Sequence, residues 1–276
     1  MAFQLLKAAL MGLIQGLAEW LPISSGGHLL LLNEFLPLQG SDSFFQLFDV
    51  LIQLGSILAV VVLYFRRLNP FAPSKSRQEK QTTWSLWFKI IVAVIPSGVI
   101  GVLLDDLIEE KLNGLPVIAA ALIIYGIIFL FLDRLERGKH ARRIQNAEEI
   151  DYKTAFLVGC FQILALIPGT SRSGSTIIGA LLLGLARPAA VEFSFFMAIP
   201  TMLGASLLKC AKFVMNGGTL AGGEIAAIVM GFAVAFAISL AVIRVLVRYI
   251  RTHTFRAFGI YRILLGLAVI AWLILK

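Results

Sequence analysis

The sequence predicts an all-α polytopic integral membrane protein, in which six transmembrane helices accompany two re-entrant helical hairpins in an inverted-topology repeat. Three observations lead to this prediction: an apolar composition, six apolar runs of spanning length, and two further runs broken by polar turns. Of the 276 residues, 59% are hydrophobic and 14% are charged, whereas a soluble domain carries about 45–50% apolar and about 25% charged residues. This composition excludes a soluble enzyme and a disordered chain.

The six unbroken runs are long enough to cross the hydrocarbon core of a bilayer, which takes about 20 apolar residues of helix. They lie at approximately 44–65, 84–104, 113–132, 189–213, 224–248 and 256–275. Because apolar runs extend from one end of the chain to the other, we expect a single membrane domain over residues 1–276, with no separate soluble domain.

The two broken runs, residues 3–37 and 154–186, are each interrupted by a turn rich in Pro, Gly and Ser. We name the turn at 22–28 the first tip and the turn at 168–176 the second tip. The halves on either side of a tip are about 12–18 residues long, which is too short to span a bilayer alone. Since irregular backbone at membrane depth must be satisfied by protein or by a wet cavity, both runs are predicted to be re-entrant helical hairpins.

The distribution of charge predicts the orientation. Loop 66–83 holds five Lys and Arg residues, loop 133–153 holds six, and the stretch 244–262 holds five Arg, whereas 105–112 holds four acidic residues and one Lys. Basic loops face the cytoplasm, so the first hairpin enters and leaves from the outside, the second from the cytoplasm, and both termini lie outside. The net charge of +8 thus indicates an anionic membrane surface and no nucleic acid as partner.

Hairpins that enter from opposite faces predict an inverted repeat. The predicted copies span about residues 1–132 and 154–276, joined by a cytoplasmic linker at about 133–153. Residues 12–26 align with residues 159–174 when a one-residue gap brings Pro22 and Pro168 together. Such folds place their binding site near the bilayer midplane, where the broken helices meet, so we expect the two tips to meet there.

The tips carry the residue types of phosphoryl transfer. Each tip opens a helix, whose free N–H groups and dipole favour an anion. Arg172 in the second tip has a planar guanidinium that suits phosphate oxygens, and the first tip region adds Glu19, Ser25 and His28. Ionisable side chains at this depth are costly and therefore indicate function. A phosphate site at membrane depth implies a lipid-borne phosphate as substrate.

The candidate residues fall into two groups. The predicted catalytic residues are Glu19, Ser25, His28 and Arg172. The predicted substrate- and phosphate-binding residues are Ser24, Gly27, Ser171, Ser173, Thr176, Gln15 and Gln53. Glu19 is also the predicted metal ligand, because a carboxylate can hold a divalent cation between two phosphates.

Structural roles stay open for several of these residues. A tip hydroxyl can cap a helix, as we expect for Ser175 and also consider for Thr176. Arg172 can be a counter-ion for Glu19, and His28 can bond a neighbouring carbonyl. The glutamines, like Asp49 within its apolar segment, are weaker candidates since interhelical hydrogen bonds would explain them equally well.

At these residues the chain resembles the undecaprenyl-diphosphatase family, also called the bacitracin-resistance phosphatases, over essentially its whole length. The motifs that carry the resemblance are Gln15-Gly-Leu-Ala-Glu19, Pro22-Ile-Ser-Ser-Gly-Gly-His28, and Pro168 to Thr176. The resemblance implies hydrolysis of undecaprenyl diphosphate with a divalent cation, Mg or Ca, as cofactor. It also implies bacitracin resistance and recycling of the cell-wall lipid carrier at the outer face of the bacterial inner membrane.

Two positions depart from the family pattern. Gln15 stands where many members have Glu, which weakens this position as a metal ligand. Gly26 stands where Thr or Ser is common, so a hydroxyl is not essential there. The implied partners are a polyprenyl diphosphate lipid and the surrounding membrane lipids, and the sequence is compatible with a homodimer.

For the mechanism we expect Ser25 to attack the terminal phosphorus with help from His28, while attack by His28 itself stays open. Glu19 would bind the metal or act as base, and Arg172 with the tip N–H groups would hold the phosphates. A polyprenyl-phosphate transporter or flippase is the alternative function, because inverted repeats and broken helices are equally transporter features. An intramembrane Ser/His protease fits less well, since it has no use for Arg172.

Overall fold

The structure, a computed structural model, describes residues 1–112, 114–136 and 144–275. The α-helices of this part of the chain are α1 Ala2–Ala18, α2 Ser25–Phe35, α3 Asp42–Leu63, α4 Phe65–Leu68, α5 Arg77–Leu112, α6 Leu115–Glu136, α7 Tyr152–Ile163, α8 Arg172–Leu182, α9 Arg187–Met215, α10 Gly222–Tyr249 and α11 Arg256–Leu275. Within the predicted cytoplasmic linker, residues 137–143 lie outside the described residues.

Among the described residues, six helices are long and apolar enough to cross a membrane. They are Ser43–Leu63, Arg77–Leu104, Leu115–Leu132, Arg187–Met215, Gly222–Tyr249 and Arg256–Leu275. The all-α membrane fold with six spans is therefore confirmed. The prediction of a loop over 66–83 is wrong for residues 77–83, which belong to α5, as do residues 105–112. Neither stretch contains Pro or Gly, so nothing in the sequence interrupts the helix before its polar ends.

Each short helix pair leaves and returns to the same end of the bundle. Near α1 and α2, Lys7 Nζ donates to the Pro37 carbonyl at 2.6 Å, and the Gln39 N–H donates to Gln4 Oε1 at 3.1 Å. Around α7 and α8, the Ile144 backbone exchanges hydrogen bonds with residues 184 and 186 at 3.1 and 2.9 Å. This arrangement is consistent with the predicted re-entrant hairpins.

The two hairpins begin at opposite ends of the bundle. A cavity of about 370 Å³ is lined by Ser43, Glu110 and Lys212, which places the first turn of α3 and the last turns of α5 and α9 at one end. The Phe35 and Trp272 rings, 5.0 Å apart, bring the end of α2 beside the end of α11. This grouping agrees with the predicted order of spans, in which both chain termini lie on one side.

Helix packing repeats between the two halves of the chain. Helix α1 packs on α10 as α7 packs on α5, and α3 packs on α10 as α9 packs on α5. The pairs α3 with α9 and α6 with α11 join helices at equivalent places in the two halves. In each half, the first helix of the short hairpin therefore packs against a long helix of the other half. This exchange is consistent with the predicted repeat.

Two glycines make the closest of these equivalent contacts possible. The α-carbon of Gly12 lies against the backbone carbonyl of Gly231, and that of Gly159 lies against the carbonyl of Ala93, so a methyl group at either position would overlap the opposing backbone. Small residues allow such approach between membrane helices. The two glycines occupy equivalent places in α1 and α7.

The equivalence also corrects the predicted alignment. Residues 12 and 159 are 147 positions apart, as are Ser24 and Ser171, which cap α2 and α8. The prediction of a one-residue gap is therefore wrong. The gap was introduced to align Pro22 with Pro168. In the structure Pro22 lies two residues before the cap Ser24, whereas Pro168 lies three residues before the cap Ser171. Residue 25 is thus equivalent to residue 172.

At the other end of the bundle, Arg67 joins three segments of the chain. Its Nε and Nη2 donate to the two carboxylate oxygens of Glu148 at 2.5 and 2.7 Å, and its Nη1 donates to Glu192 at 2.7 Å. Burial raises the pKa of the Glu148 carboxyl, but the hydrogen bonds and charge of Arg67 outweigh it, so this pKa lies below its ordinary value. Arg67 therefore ties α4 to α9 and to the segment before α7.

Replacement of Gly159 by Ala tests the close approach of α7 to α5. Gly159→Ala should lower the free energy of unfolding by about 1–3 kcal/mol, because overpacking forces the backbone apart. Gly98→Ala is the matched control, since a methyl group there meets no atom within 4 Å and should stabilise the helix by about 0.5–1 kcal/mol. Thermal unfolding in detergent measures both variants. Equal midpoints would contradict the observed packing.

The acid sensitivity of folding tests the Arg67 cluster. Because the pKa of Glu148 is lower in the folded than in the unfolded chain, its stabilisation is present above the unfolded pKa and is lost as pH falls through the folded pKa. Glu148→Gln should cost about 1.5–3 kcal/mol near pH 7 and flatten the loss of stability on acidification. The control is Glu110→Gln in the exposed pair with Lys111, which should change stability little.

Candidate active site

The two tips meet around the buried guanidinium of Arg262. Its Nη1 donates to the carbonyl of Pro22 at 3.0 Å, and its Nη2 donates to those of Gly169 and Thr170 at 2.8 and 3.1 Å. Two further carbonyls of α6 accept from it at 3.3 and 3.5 Å. The side chain is fully buried. Arg262 therefore binds backbone oxygens of both tips and of a spanning helix at once.

The prediction that Arg262 is one of the basic residues of a cytoplasmic stretch is wrong. It lies in the second turn of α11, whose following residues, 263–275, are all apolar. The sequence signal was present, because an arginine inside a spanning segment is costly and marks a functional or structural site. Counting it with the four preceding arginines concealed that signal.

Each tip contains a serine with an unusual backbone conformation. Ser24 and Ser171 have φ values of 76° and 78°, and in the described residues no other non-glycine residue has a positive φ. Each side chain caps its helix by accepting the N–H of the residue three positions on, Gly27 at 3.3 Å and Gly174 at 3.1 Å. Such conformations cost about 1–3 kcal/mol each and are typical of functional sites.

Glu19 lies at the centre of the site. Its Oε1 accepts from Arg172 Nη2 at 2.9 Å, and its Oε2 accepts from Ser25 Oγ at 2.7 Å and from Gln15 Nε2 at 3.0 Å. The residue is only 4% exposed. The structure thus brings together three of the four predicted catalytic residues, along with one predicted binding residue. Ser25 and Arg172, which follow the two caps, reach the same carboxylate from opposite tips.

Several contacts immobilise Arg172. Its Nη1 donates to the carbonyl of Ser194 at 2.7 Å and to the Ser194 hydroxyl at 3.3 Å. Its guanidinium carbon lies 5.9 Å from the centroid of the Trp20 ring, which in turn packs edge-on against Phe195. Arg172 is thus the counter-ion of Glu19, which is the structural role that the sequence left open for it. The buried Nε has no protein partner in the described chain and can donate to a phosphate oxygen.

The other predicted hydroxyls hold the tips in place. Ser173 Oγ donates to the Glu19 carbonyl at 3.1 Å, and Thr176 Oγ1 donates to the Arg172 carbonyl at 2.9 Å. Thr176 also lies 2.6 Å from the Ser194 hydroxyl. Ser194 was missed by sequence reasoning, because its only signal is one hydroxyl within an aromatic run. These hydroxyls already have partners in the fold, so the contacts favour structural roles for them.

His28 lies apart from the carboxylate. Its Nδ1 is 2.7 Å from the Ser24 carbonyl oxygen, and its Nε2 is 2.7 Å from the hydroxyl of Tyr261. No hydrogen bond between the described residues joins His28 to Ser25 or to Glu19. The two candidates are three residues apart on α2 and therefore share a face of that helix. The expected direct assistance of Ser25 by His28 is not seen in this arrangement.

No hydrogen bond between the described residues joins Gln53 to either tip, so its role in phosphate binding stays a prediction. Gln53 lies one turn after Asp49 on α3, and Asp49 is close enough to Glu19 for the two carboxyl groups to interact. One Asp49 oxygen is buried and has no partner in the part of the chain that is described. Asp49 is thus a second buried carboxylate near the site, and its position inside an apolar helix was the sequence signal for it.

A divalent cation at this site would depend on few protein oxygens. The described residues contain no group of three or more His, Cys, Asp or Glu side chains that could hold a metal ion. Glu19 is the carboxylate between the tips, and the adjacent Gln15 Oε1 is buried without a hydrogen-bond partner among those residues. Both are the hard oxygen ligands that Mg and Ca prefer. The assignment of Glu19 as a metal ligand stays a prediction.

The stability of the Glu19–Arg172 pair provides a test of this geometry. Arg172→Met leaves a buried carboxylate without its cation and should cost about 3–5 kcal/mol of unfolding free energy. The double variant Glu19→Gln with Arg172→Met removes both charges and should recover most of that loss. Thermal unfolding of the single and double variants measures the difference. A double variant no more stable than Arg172→Met would show that the two charges do not form a pair.

Comparison with known proteins adds independent findings. A family model described as "Bacitracin resistance protein BacA" matches residues 8–268. A Limosilactobacillus fermentum protein named undecaprenyl-diphosphatase is 51% identical over 269 residues, which cover 98% of this chain and 97% of that protein. Proteins of the same name from Streptococcus thermophilus and Lactiplantibacillus plantarum are 49% and 50% identical. They cover 97% and 96% of this chain, and 92% and 96% of their own lengths are matched.

Proposed function

The chain belongs to the BacA family of bacitracin resistance proteins, and we propose how its residues perform the reaction for which its relatives are named. It hydrolyses undecaprenyl diphosphate to undecaprenyl phosphate and inorganic phosphate, as a multi-pass membrane enzyme. One observation carries the proposal at the level of residues. The Ser25 hydroxyl donates to Glu19 Oε2 at 2.7 Å, beside an arginine that can bind phosphate oxygens.

In the first step Ser25 is the nucleophile. Its proton passes to Glu19 Oε2, which already accepts it as a hydrogen bond, and Oγ forms a bond to the terminal phosphorus. The bond from that phosphorus to the bridging oxygen breaks, and undecaprenyl phosphate departs with the electron pair. A carboxylate within hydrogen-bond reach of a hydroxyl is the arrangement that general base catalysis requires.

In the second step water attacks the phosphoserine. A bond forms between the water oxygen and phosphorus, the phosphorus–Oγ bond breaks, Oγ regains its proton from Glu19, and both protons of the attacking water leave with inorganic phosphate. Both charged groups of the site then return to their starting state. The same carboxylate therefore serves both steps, because it is protonated in the first and deprotonated in the second.

Arg172 and the helix starts supply electrostatic stabilisation. The charge of a phosphoryl transition state is spread over the equatorial oxygens. Preorganised donors stabilise that charge without rearranging, and the contacts of Arg172 with Glu19 and Ser194 hold its guanidinium in place. The buried, unpartnered Nε of Arg172 supports its assignment to the phosphate. Because Glu19 neutralises part of the positive charge of Arg172, we expect the site to bind the product phosphate less tightly than an unpaired arginine would.

The residues present fit a divalent cation as cofactor, Mg or Ca. Glu19 and the unpartnered Oε1 of Gln15 would hold it, and phosphate oxygens of the substrate would complete its ligands. When bound, the cation would neutralise phosphate charge and favour departure of the lipid phosphate. His28 lies one helical turn after Ser25, and we assign it to the lipid phosphate, at the exposed side of the site.

We place the enzyme in the bacterial inner membrane with its site open to the outer face. The basic loop with Arg67 and the segment before α7 meet at one end of the bundle. Basic loops favour the cytoplasm. The first hairpin, which carries Ser25 and Glu19, begins and ends at the opposite end. This supports access to the nucleophile from outside, where the released diphosphate carrier would be recycled for the cell wall.

Phosphate release from undecaprenyl diphosphate by the purified protein tests the proposal. Ser25→Ala and Glu19→Gln should each lower kcat by about 100- to 10,000-fold, because each removes one partner of the proton transfer. Chelation of divalent cations should abolish release, and added Mg or Ca should restore it. A rapid quench with substrate labelled in its terminal phosphate should place the label on Ser25.

Ser239→Ala is the matched control, since Ser239 is a buried serine of α10 that belongs to neither tip and whose Oγ bonds the Gly16 carbonyl. It should retain near-normal activity. Label on His28 would contradict the serine mechanism and indicate attack by His28. The absence of any label on the protein would also contradict it and indicate direct attack by water. No phosphate release from folded protein would favour the transporter, and flux of polyprenyl phosphate in liposomes would then be measured.

A further inference from the structure

We propose that Tyr261 is a positioning residue for His28. The geometry points to a tyrosine hydroxyl that holds the imidazole in one tautomer by donating to the lone pair of Nε2, at the exposed side of the site. The inference rests on the proposed function, in which His28 acts on the lipid phosphate. It adds a residue of α11 that lies outside both sequence motifs.

The two partners of His28 fix its tautomer. The Ser24 carbonyl oxygen, 2.7 Å from Nδ1, can only accept a hydrogen bond, so Nδ1 carries the proton. In the neutral ring Nε2 is then the acceptor, and the Tyr261 hydroxyl at 2.7 Å is its donor. Since the state of the second ring nitrogen is set by the bond of the first, Nε2 is the unprotonated nitrogen, and its lone pair accepts from Tyr261.

Ring packing fixes the orientation of the imidazole. The His28 and Tyr261 rings lie parallel within 3°, with centroids 5.6 Å apart. The edge-on contact of Phe35 with Trp272 lies farther along the same two helices. Helix α2 is thus tied to α11 at two places. Removal of the Tyr261 hydroxyl alone would leave the aromatic ring and the second contact intact, so its effect can be separated from loss of packing.

The surroundings of Tyr261 suit a lipid substrate. The tyrosine is 43% exposed, and its neighbours Ile260 and Leu264 on α11 are exposed apolar side chains. An exposed apolar face at membrane depth contacts lipid, whereas the Glu19 side chain is 3% exposed and that of Arg172 is 10% exposed. The His28–Tyr261 pair therefore lies between the lipid phase and the buried carboxylate, where the phosphate next to a prenyl chain would come to rest.

The ¹⁵N NMR spectrum of labelled histidine tests the positioning directly. The chain has three histidines, so His28→Gln assigns the His28 signals by their disappearance. In the unmodified protein at neutral pH we expect a protonated Nδ1 and an unprotonated, hydrogen-bonded Nε2. Tyr261→Phe should move the Nε2 resonance toward that of an unbonded nitrogen. A proton on Nε2 in the unmodified protein, or no change in Tyr261→Phe, would overturn the inference.

A double-mutant cycle tests whether the positioning matters for turnover. Tyr261→Phe should lower kcat by about tenfold with little change in KM, as expected for the loss of one neutral hydrogen bond. In the His28→Gln background the same substitution should have no further effect, because residues that act as a unit are not additive. Tyr152→Phe, at the start of α7 away from the tips, is the matched control and should leave kcat unchanged.

The outcomes separate this inference from the proposed function. An additive effect of Tyr261→Phe in the His28→Gln background would refute positioning through His28. An unmodified protein that releases no phosphate would refute the proposed function, while the NMR spectra would still decide whether Tyr261 sets the tautomer. Equal thermal midpoints of the variants exclude a difference in folding as the cause.

Discussion

The need to satisfy broken backbone inside a membrane governs this fold. A helix bonds its own carbonyls, but two turns at membrane depth leave carbonyl oxygens free, and no water in the hydrocarbon core can bond them. Arg262 resolves the problem with one side chain, since its guanidinium donates to carbonyls of both tips and of α6. The tips are therefore held together by the same group that makes each of them tolerable. The contact brings the starts of α2 and α8 together, and Ser25 and Arg172 are the first residues of these two helices.

A single carboxylate then serves opposing demands. Glu19 neutralises a largely buried arginine and accepts hydrogen bonds from the Ser25 hydroxyl and from Gln15. A buried charge pair is stable only when its remaining bonding groups are satisfied, and the proposed mechanism exchanges one of these bonds for a proton. The strained caps at Ser24 and Ser171 aim the following residues at this carboxylate. The surrounding packing offsets the free-energy cost of the positive φ values at these two serines. The chain can therefore keep Ser25 and Arg172 directed at Glu19, which a turn with an ordinary backbone conformation would not do.

The sequence predicted the spans and most residues around Glu19, because these depend on composition and on costly polar groups in apolar runs. The hairpins that it predicted are consistent with the structure. It could not predict which partner each polar group takes. The distance between His28 and Ser25 depends on α2, but the binding of His28 by Tyr261 depends on how α11 packs across the chain. Arg262 was wrongly counted among the cytoplasmic basic residues. A count of charges along the sequence does not distinguish an arginine at the end of a helix from one that lies a turn farther into it. The alignment gap failed because proline identity was a weaker guide than the position of the caps.

The equivalence of residues 25 and 172 has a consequence for the symmetry of the site. In a two-fold assembly of identical chains, both tips would present the same residue after the cap, and an acceptor carboxylate would face either two hydroxyls or two guanidiniums. A single polypeptide that carries both copies can place a different residue at each position, here a serine and an arginine. Covalent linkage of the two halves is therefore what permits an asymmetric pair of polar groups on a two-fold arrangement of helices.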